Sequence, residues 1–217
     1  MEASNSDAGA IRLLAVAGSM RAASFNRKLL AAAVASAEQA GAQVEVIELR
    51  ELELPLYDGD LEAESGAPDS AKRLKEKIAA ADGLLIACPE YNNSIPGAFK
   101  NAIDWASRGP DRVFPGKAAA IMGASPGGFG AVRALLHLRQ VLNSLGVWTV
   151  PGQVTISKAG DAFDEAGALR DPALTEQLDT LTGQLLEYIG SRRRNAAEIS
   201  TAGGSMPPET ASESKTA

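Results

Sequence analysis

The chain has 217 residues, 45% of them hydrophobic and 22% charged, which is the make-up of one ordinary globular domain. One cysteine (Cys88) and one histidine (His137) exclude an intrachain disulfide and a zinc site built from several Cys and His ligands. A net charge of −6 argues against general binding to nucleic acid or anionic membranes, and no apolar run reaches the ~20 residues of a bilayer span.

In chain order, residues 1–10 (MEASNSDAGA) read as a polar tail. They are the opposite of a signal peptide's basic start and apolar middle, so a cytoplasmic location is expected. The run 11–17 (IRLLAVA) is a nearly continuous apolar stretch, as in a strand buried on both faces. A helix is predicted over 25–40, with Leu29, Leu30, Ala33, Val34 and Ala37 on one face and Gly41 as its stop. Residues 43–49 alternate as an edge strand does. Leu74 and Ile78 mark a helix over 69–81, and 83–88 (GLLIAC) is a second buried strand. Pro96 opens a helix over 96–107, and 117–124 (KAAAIMGA) is a third buried strand. Leu135, Leu138, Leu142 and Leu145 mark a helix over 129–145, followed by a strand over 147–154. A last helix, over 172–191, carries Leu174, Leu178, Leu181, Leu185 and Ile189. Arg192–Arg194 complement the macrodipole at its end, and 192–217 read as a disordered polar tail.

Five strands, each followed by a helix, predict one α/β domain over 11–191. It is a flavodoxin-like three-layer sandwich around a parallel sheet of order 2-1-3-4-5. Ligands of such sheets bind outside the carboxyl ends of the strands, at the switch point between strands one and three. The loops after strands one, three and four are therefore the candidates.

The first loop, 18–26, reads GSMRAASFN. Ser19, Arg21, Ser24 and Asn26 offer polar groups where a helix start directs its free N–H groups, an arrangement suited to a phosphate. It is neither a P-loop nor a dinucleotide fingerprint. The second, 88–101, reads CPEYNNSIPGAFKN. Tyr91 and the amides of Asn92 and Asn93 suit the face and rim of a flat heteroaromatic ligand. Cys88 is expected to be an inert buried residue. The third, 123–130, reads GASPGGFG and contains the G-x-S-x-G of a serine-hydrolase elbow. Pro126 removes the N–H that an oxyanion hole requires there, and His137 lies on the following helix, so a hydrolase is not expected. Gly127 and Gly128 instead offer unobstructed backbone donors, with the Ser125 hydroxyl beside them.

Together, GSMRAASFN, PEYNNSIPGAFKNAIDW and GASPGGFGAVRALLHLRQVL resemble the NADPH-dependent FMN reductase family, nearest to its quinone, chromate and azo-dye reductases. The resemblance runs from about residue 11 to residue 190. It implies that Ser19, Arg21, Ser24, Phe25 and Asn26 bind the FMN phosphate. It further implies that Pro89, Glu90, Tyr91, Asn92 and Asn93 line the isoalloxazine, and that Ser125, Gly127 and Gly128 hold its other edge. The activity implied is ping-pong transfer of a hydride from NADPH or NADH, by way of FMN, to a flavin, quinone, chromate or azo acceptor. No protein nucleophile or metal takes part. A homodimer or homotetramer is implied as well, although Leu136 stands where the chromate-reductase branch often has a tyrosine. The competing readings are an FMN electron carrier of the flavodoxin type, with no nicotinamide oxidase activity, and a non-catalytic domain with a vestigial site.

Overall fold

The structure is a computed structural model and describes residues 9–202. Of the expected tails, 1–10 and 192–217, residues 1–8 and 203–217 lie outside the described residues. The elements run β1 (Arg12–Ala17), α1 (Phe25–Gln39), β2 (Gln43–Ile47), α2 (Gly59–Ser65), α3 (Asp69–Ala80) and β3 (Gly83–Ala87). Then follow α4 (Gly97–Ala106), β4 (Ala118–Ala124), α5 (Val132–Ser144), β5 (Trp148–Thr149), β6 (Val154–Ile156), α6 (Ala159–Ala162) and α7 (Pro172–Ala202). The strands form one parallel sheet of order β2-β1-β3-β4-β5, with β6 also paired to β4.

Alternation along the buried strands divides the core in two. Leu13, Ala15 and Ala17 of β1, with Leu85 of β3 and Met122 of β4, pack beneath Leu29, Leu30 and Ala33 of α1 and Leu178, Leu181 and Leu185 of α7. On the other face, Leu14, Ile86 and Ile121 pack against Leu74 and Ile78 of α3, Phe99 and Ile103 of α4, and Leu135, Leu138 and Leu142 of α5. The all-apolar runs of β3 and β4 follow from this, since every residue in both strands is buried.

Four features differ from the expectation. The fifth strand is broken, so that β5 ends at Thr149 and β6 begins at Val154. The short helix α2 was not expected. It is capped by Asp58, which accepts from the Asp60 N–H at 2.9 Å, and it buries no residue, so it leaves no hydrophobic period to read. The helix expected from residue 129 begins at Val132, because Gly130 (φ 58°) and Ala131 (φ 68°) are left-handed and cannot be helical. Finally, α7 passes the expected boundary at 191 and continues to Ala202. Arg192–Arg194 are therefore not in its last turn. Arg193 instead pairs with Asp82 at 2.7 Å and donates to the Gly9 carbonyl at 2.6 Å, tying the helix to the amino ends of β1 and β3.

Candidate active site

The carboxyl ends of β1, β3 and β4 are held level by backbone bonds from Gly18 N–H to the Ala87 carbonyl (2.9 Å) and from Cys88 N–H to the Met122 carbonyl (2.8 Å). In the first loop, Ser24 caps α1 and accepts the Asn26 N–H at 3.2 Å. Asn26 is 2% exposed, and its side chain is wholly engaged with one residue. Its Nδ2 donates to the Ala124 carbonyl at 2.8 Å, and the Ala124 N–H donates to its Oδ1 at 2.9 Å. Asn26 thus joins the start of α1 to the end of β4. The half-buried ring of Phe25 stacks on Phe163, with centroids 6.2 Å apart. Ser19 is buried, and its Oγ accepts the Arg21 N–H at 3.3 Å. The Arg21 side chain is exposed and pairs with no carboxylate among the described residues. The other cation of the three segments, Lys100, lies in α4 and pairs with Asp104 at 2.6 Å.

In the second loop, Pro89 is buried and Tyr91 pairs with Ser94 across a two-residue turn. Asn92 (φ 50°) and Asn93 (φ 65°) occupy the turn's left-handed positions. Such a turn needs positive φ at both residues, and asparagine is among the few non-glycine residues that tolerate it. Tyr91 is half-exposed, with its hydroxyl 3.4 Å from Ser19 Oγ, which links the hairpin to the first loop. Ser94 Oγ lies 3.0 Å from His137 Nδ1 on α5.

Glu90 turns away from the hairpin tip. Its carboxylate accepts the N–H groups of Arg133 (3.0 Å) and Ala134 (3.3 Å) at the start of α5, and Arg133 Nε at 2.7 Å. Burial acts to raise its pKa, but the Arg133 side chain and the two N–H groups outweigh it and hold the carboxyl below its ordinary value. Glu90 is thus a helix cap supplied from another loop. Arg133 in turn lies over the Phe129 ring, 4.5 Å from its centroid. Neither Arg133 nor Phe129 was among the expected site residues. A signal was present, since an acidic residue without a role in its own loop calls for a cation elsewhere, but the sequence does not give the distance.

In the third loop, Ser125 Oγ accepts the Gly127 N–H at 3.2 Å. The only histidine bonds to Ser94, and no catalytic dyad forms at Ser125. Gly128 is exposed, has no left-handed φ, and a Cβ built on it meets nothing within 4 Å. Neither backbone geometry nor protein packing therefore requires glycine at 128. At Gly123, by contrast, a Cβ would lie 2.7 Å from the Cys88 carbonyl oxygen, so that glycine serves the fold. Cys88 is fully buried, and burial pushes its thiol up to about 12, which makes it inert.

A doubly wound sheet whose switch-point loops present one unpaired cation, a helix start, an aromatic hairpin and bare glycine amides defines a class of nucleotide-cofactor proteins. Residues 11–161 match the family described as NADPH-dependent FMN reductase. An NAD(P)H-dependent FMN reductase of Pseudomonas aeruginosa is 45% identical over 167 residues, covering 76% of this chain and 88% of the relative. A quinone reductase of Escherichia coli is 38% identical over 188 residues, covering 82% and 93%. Among solved structures, the flavoenzyme NAD(P)H:(acceptor) oxidoreductase FerB from Paracoccus denitrificans matches with a TM-score of 0.72 at 31% identity, covering 83% of this chain and 98% of its own. The chain belongs to the NADPH-dependent FMN reductase family. It is an oxidoreductase of the NAD(P)H-dependent, FMN-using class.

Proposed function

We propose that the three loops form the FMN site of an NAD(P)H:quinone and flavin reductase. Arg21, Ser19, Ser24 and the N–H groups at the start of α1 hold the phosphate. Tyr91 and the Asn92–Asn93 turn, with Pro89 beneath, border the ring. Ser125 and the amides of Gly127 and Gly128 face its far edge. Phe25, Asn26 and Glu90 act one step back, by fixing α1, β4 and α5 in place. The observation that carries this reading is Arg21. It is an exposed cation without a carboxylate partner, on the loop that opens α1 and is joined by Ser19 to Tyr91.

When bound, FMN supplies the two-electron chemistry between NAD(P)H and an acceptor. The chain's own residues hold the cofactor and leave one approach for reductant and acceptor in turn, which gives ping-pong kinetics. The exposed apolar groups on the site loops and the start of α5 are Met20, Tyr91, Phe129 and Leu136. Arg133 is neutralised by Glu90. With Arg21 committed to the phosphate and Arg133 paired, this apolar rim suits a planar neutral acceptor, a quinone or a free flavin. It suits flat azo dyes less and chromate, a dianion, least. Phe129 and Leu136, 64% and 57% exposed, also suit burial in a homodimer or homotetramer. Titration of the protein with FMN, followed by NADPH and NADH oxidation against quinone, flavin, azo dye and chromate, tests the reading. It is sustained by turnover fastest with quinone or flavin and refuted by a protein that binds no FMN.

A further inference from the structure

The break between β5 and β6 centres on one side chain. β5 pairs Trp148 with Ala118, and β6 pairs Val154 with Met122, so the offset to β4 rises from 30 residues to 32. Residues 150–153 therefore hold two residues more than β4 needs. Because the slip is even, side chains keep their faces, and Val150, Val154 and Ile156 all enter the same core. Backbone carbonyls in such a bulge lose their ladder partners and need other donors. Arg139 of α5 supplies them. Its Nη1 donates to the Val150 carbonyl and Thr149 Oγ1, each at 2.8 Å, and its Nη2 reaches the carbonyls of Gly152 (3.3 Å) and Pro151 (3.4 Å) and Gln153 Oε1 (3.4 Å). No carboxylate pairs with it among the described residues.

The slipped strand grips the third site loop. The Ser125 N–H donates to the Ile156 carbonyl at 2.9 Å, Lys158 N–H to the Gly127 carbonyl at 3.0 Å, and Ala159 N–H to the Ser125 carbonyl at 3.1 Å. A Cβ on Gly130 would lie 3.1 Å from the Ile156 backbone, so the two segments are in close contact. The bulge thus immediately precedes the strand that carries 156–159 to these partners.

We propose that Arg139 is a positioning residue for the reductase site: by holding the 150–153 bulge, it sets β6 and through it the geometry of residues 125–128. For its ligand the proposal rests on the FMN reading above, whereas its geometry is tested without FMN. Hydrogen exchange on the apo-protein is the first measurement. In Arg139→Gln, the amides of Ser125, Lys158 and Ala159 exchange about tenfold faster or more, while Gly18 and Cys88 keep wild-type rates. FMN affinity falls about tenfold, the scale of one lost charge-assisted hydrogen bond, and Arg139→Lys restores part of both. Ser36→Ala is the comparison. It removes a hydroxyl bonded to Asp179 and Thr182 between α1 and α7, lowering the thermal midpoint without changing FMN affinity. Wild-type exchange at 125, 158 and 159 with unchanged affinity in Arg139→Gln overturns the proposal, as does an affinity loss no larger than that of Ser36→Ala. If Arg139→Gln does not fold, the same comparison on Arg139→Lys decides, and wild-type exchange and affinity there overturn it. A wild-type protein that binds no FMN refutes the functional reading instead, and the exchange rates still test Arg139.

Discussion

Asn26 commits both ends of its side-chain amide to the backbone of Ala124, and a loop side chain that reads as a ligand donor becomes a bolt between α1 and β4. Asn26→Ala leaves a buried N–H and a buried carbonyl without partners. The expected cost is about 2–4 kcal/mol of stability, read by denaturant unfolding, with weaker FMN binding as a consequence. Arg21→Ala does the reverse. The side chain is exposed and unpaired, so the thermal midpoint stays near wild type while the FMN dissociation constant rises about tenfold or more. Gly128→Val places a side chain where the protein leaves open space. Stability is expected to change by no more than about 0.5 kcal/mol, whereas FMN affinity drops about tenfold if the cofactor edge lies against that amide. Fluorescence titration of free FMN against each variant gives the three affinities, and denaturant unfolding gives the three stabilities.

Glu90 governs an element from outside it. Its carboxylate stands at the positive end of α5 and on Arg133, and both hold its pKa below the ordinary value against the opposing effect of burial. A depressed carboxyl contributes stability above its unfolded pKa, and that contribution is lost as pH falls through the folded value. Glu90→Gln is therefore expected to cost about 1–2 kcal/mol near pH 7. The gap to wild type narrows as pH drops below the usual glutamate range, in urea unfolding measured from pH 7 to pH 3. The elements themselves were largely legible in the sequence. The apolar runs of β1, β3 and β4 and the leucine spacing of α5 and α7 carry their own period, and the sheet order follows from alternation and handedness. Three things were not legible. The bulge between β5 and β6 depends on Arg139, eleven positions before Val150, reaching carbonyls that carry no residue-type signal. The cap at α5 depends on Glu90 meeting Arg133 across two loops. Helix α2 has no buried face at all. In the site, the residue types and loops were readable, but the division between side chains that face outward and those that brace the loops is a matter of tertiary distance.

At the scale of the whole molecule, few side chains carry reactivity of their own. The one thiol is buried and inert, and the one histidine bonds to Ser94. In the proposed site, backbone amides, small hydroxyls and one arginine hold the cofactor and leave the reactivity to it. The net charge of −6 is spread over the chain, while the site keeps its local positive character through Arg21 and the start of α1. The most direct test of this account is an absorption and activity titration of the purified wild-type chain with FMN, read beside Arg21→Ala. The account predicts a yellow protein with one FMN per chain that oxidises NAD(P)H when a quinone is added, and an Arg21→Ala variant needing about tenfold more FMN for the same turnover. A colourless wild-type protein with no NAD(P)H oxidation, or an Arg21→Ala variant with unchanged FMN demand, would contradict it.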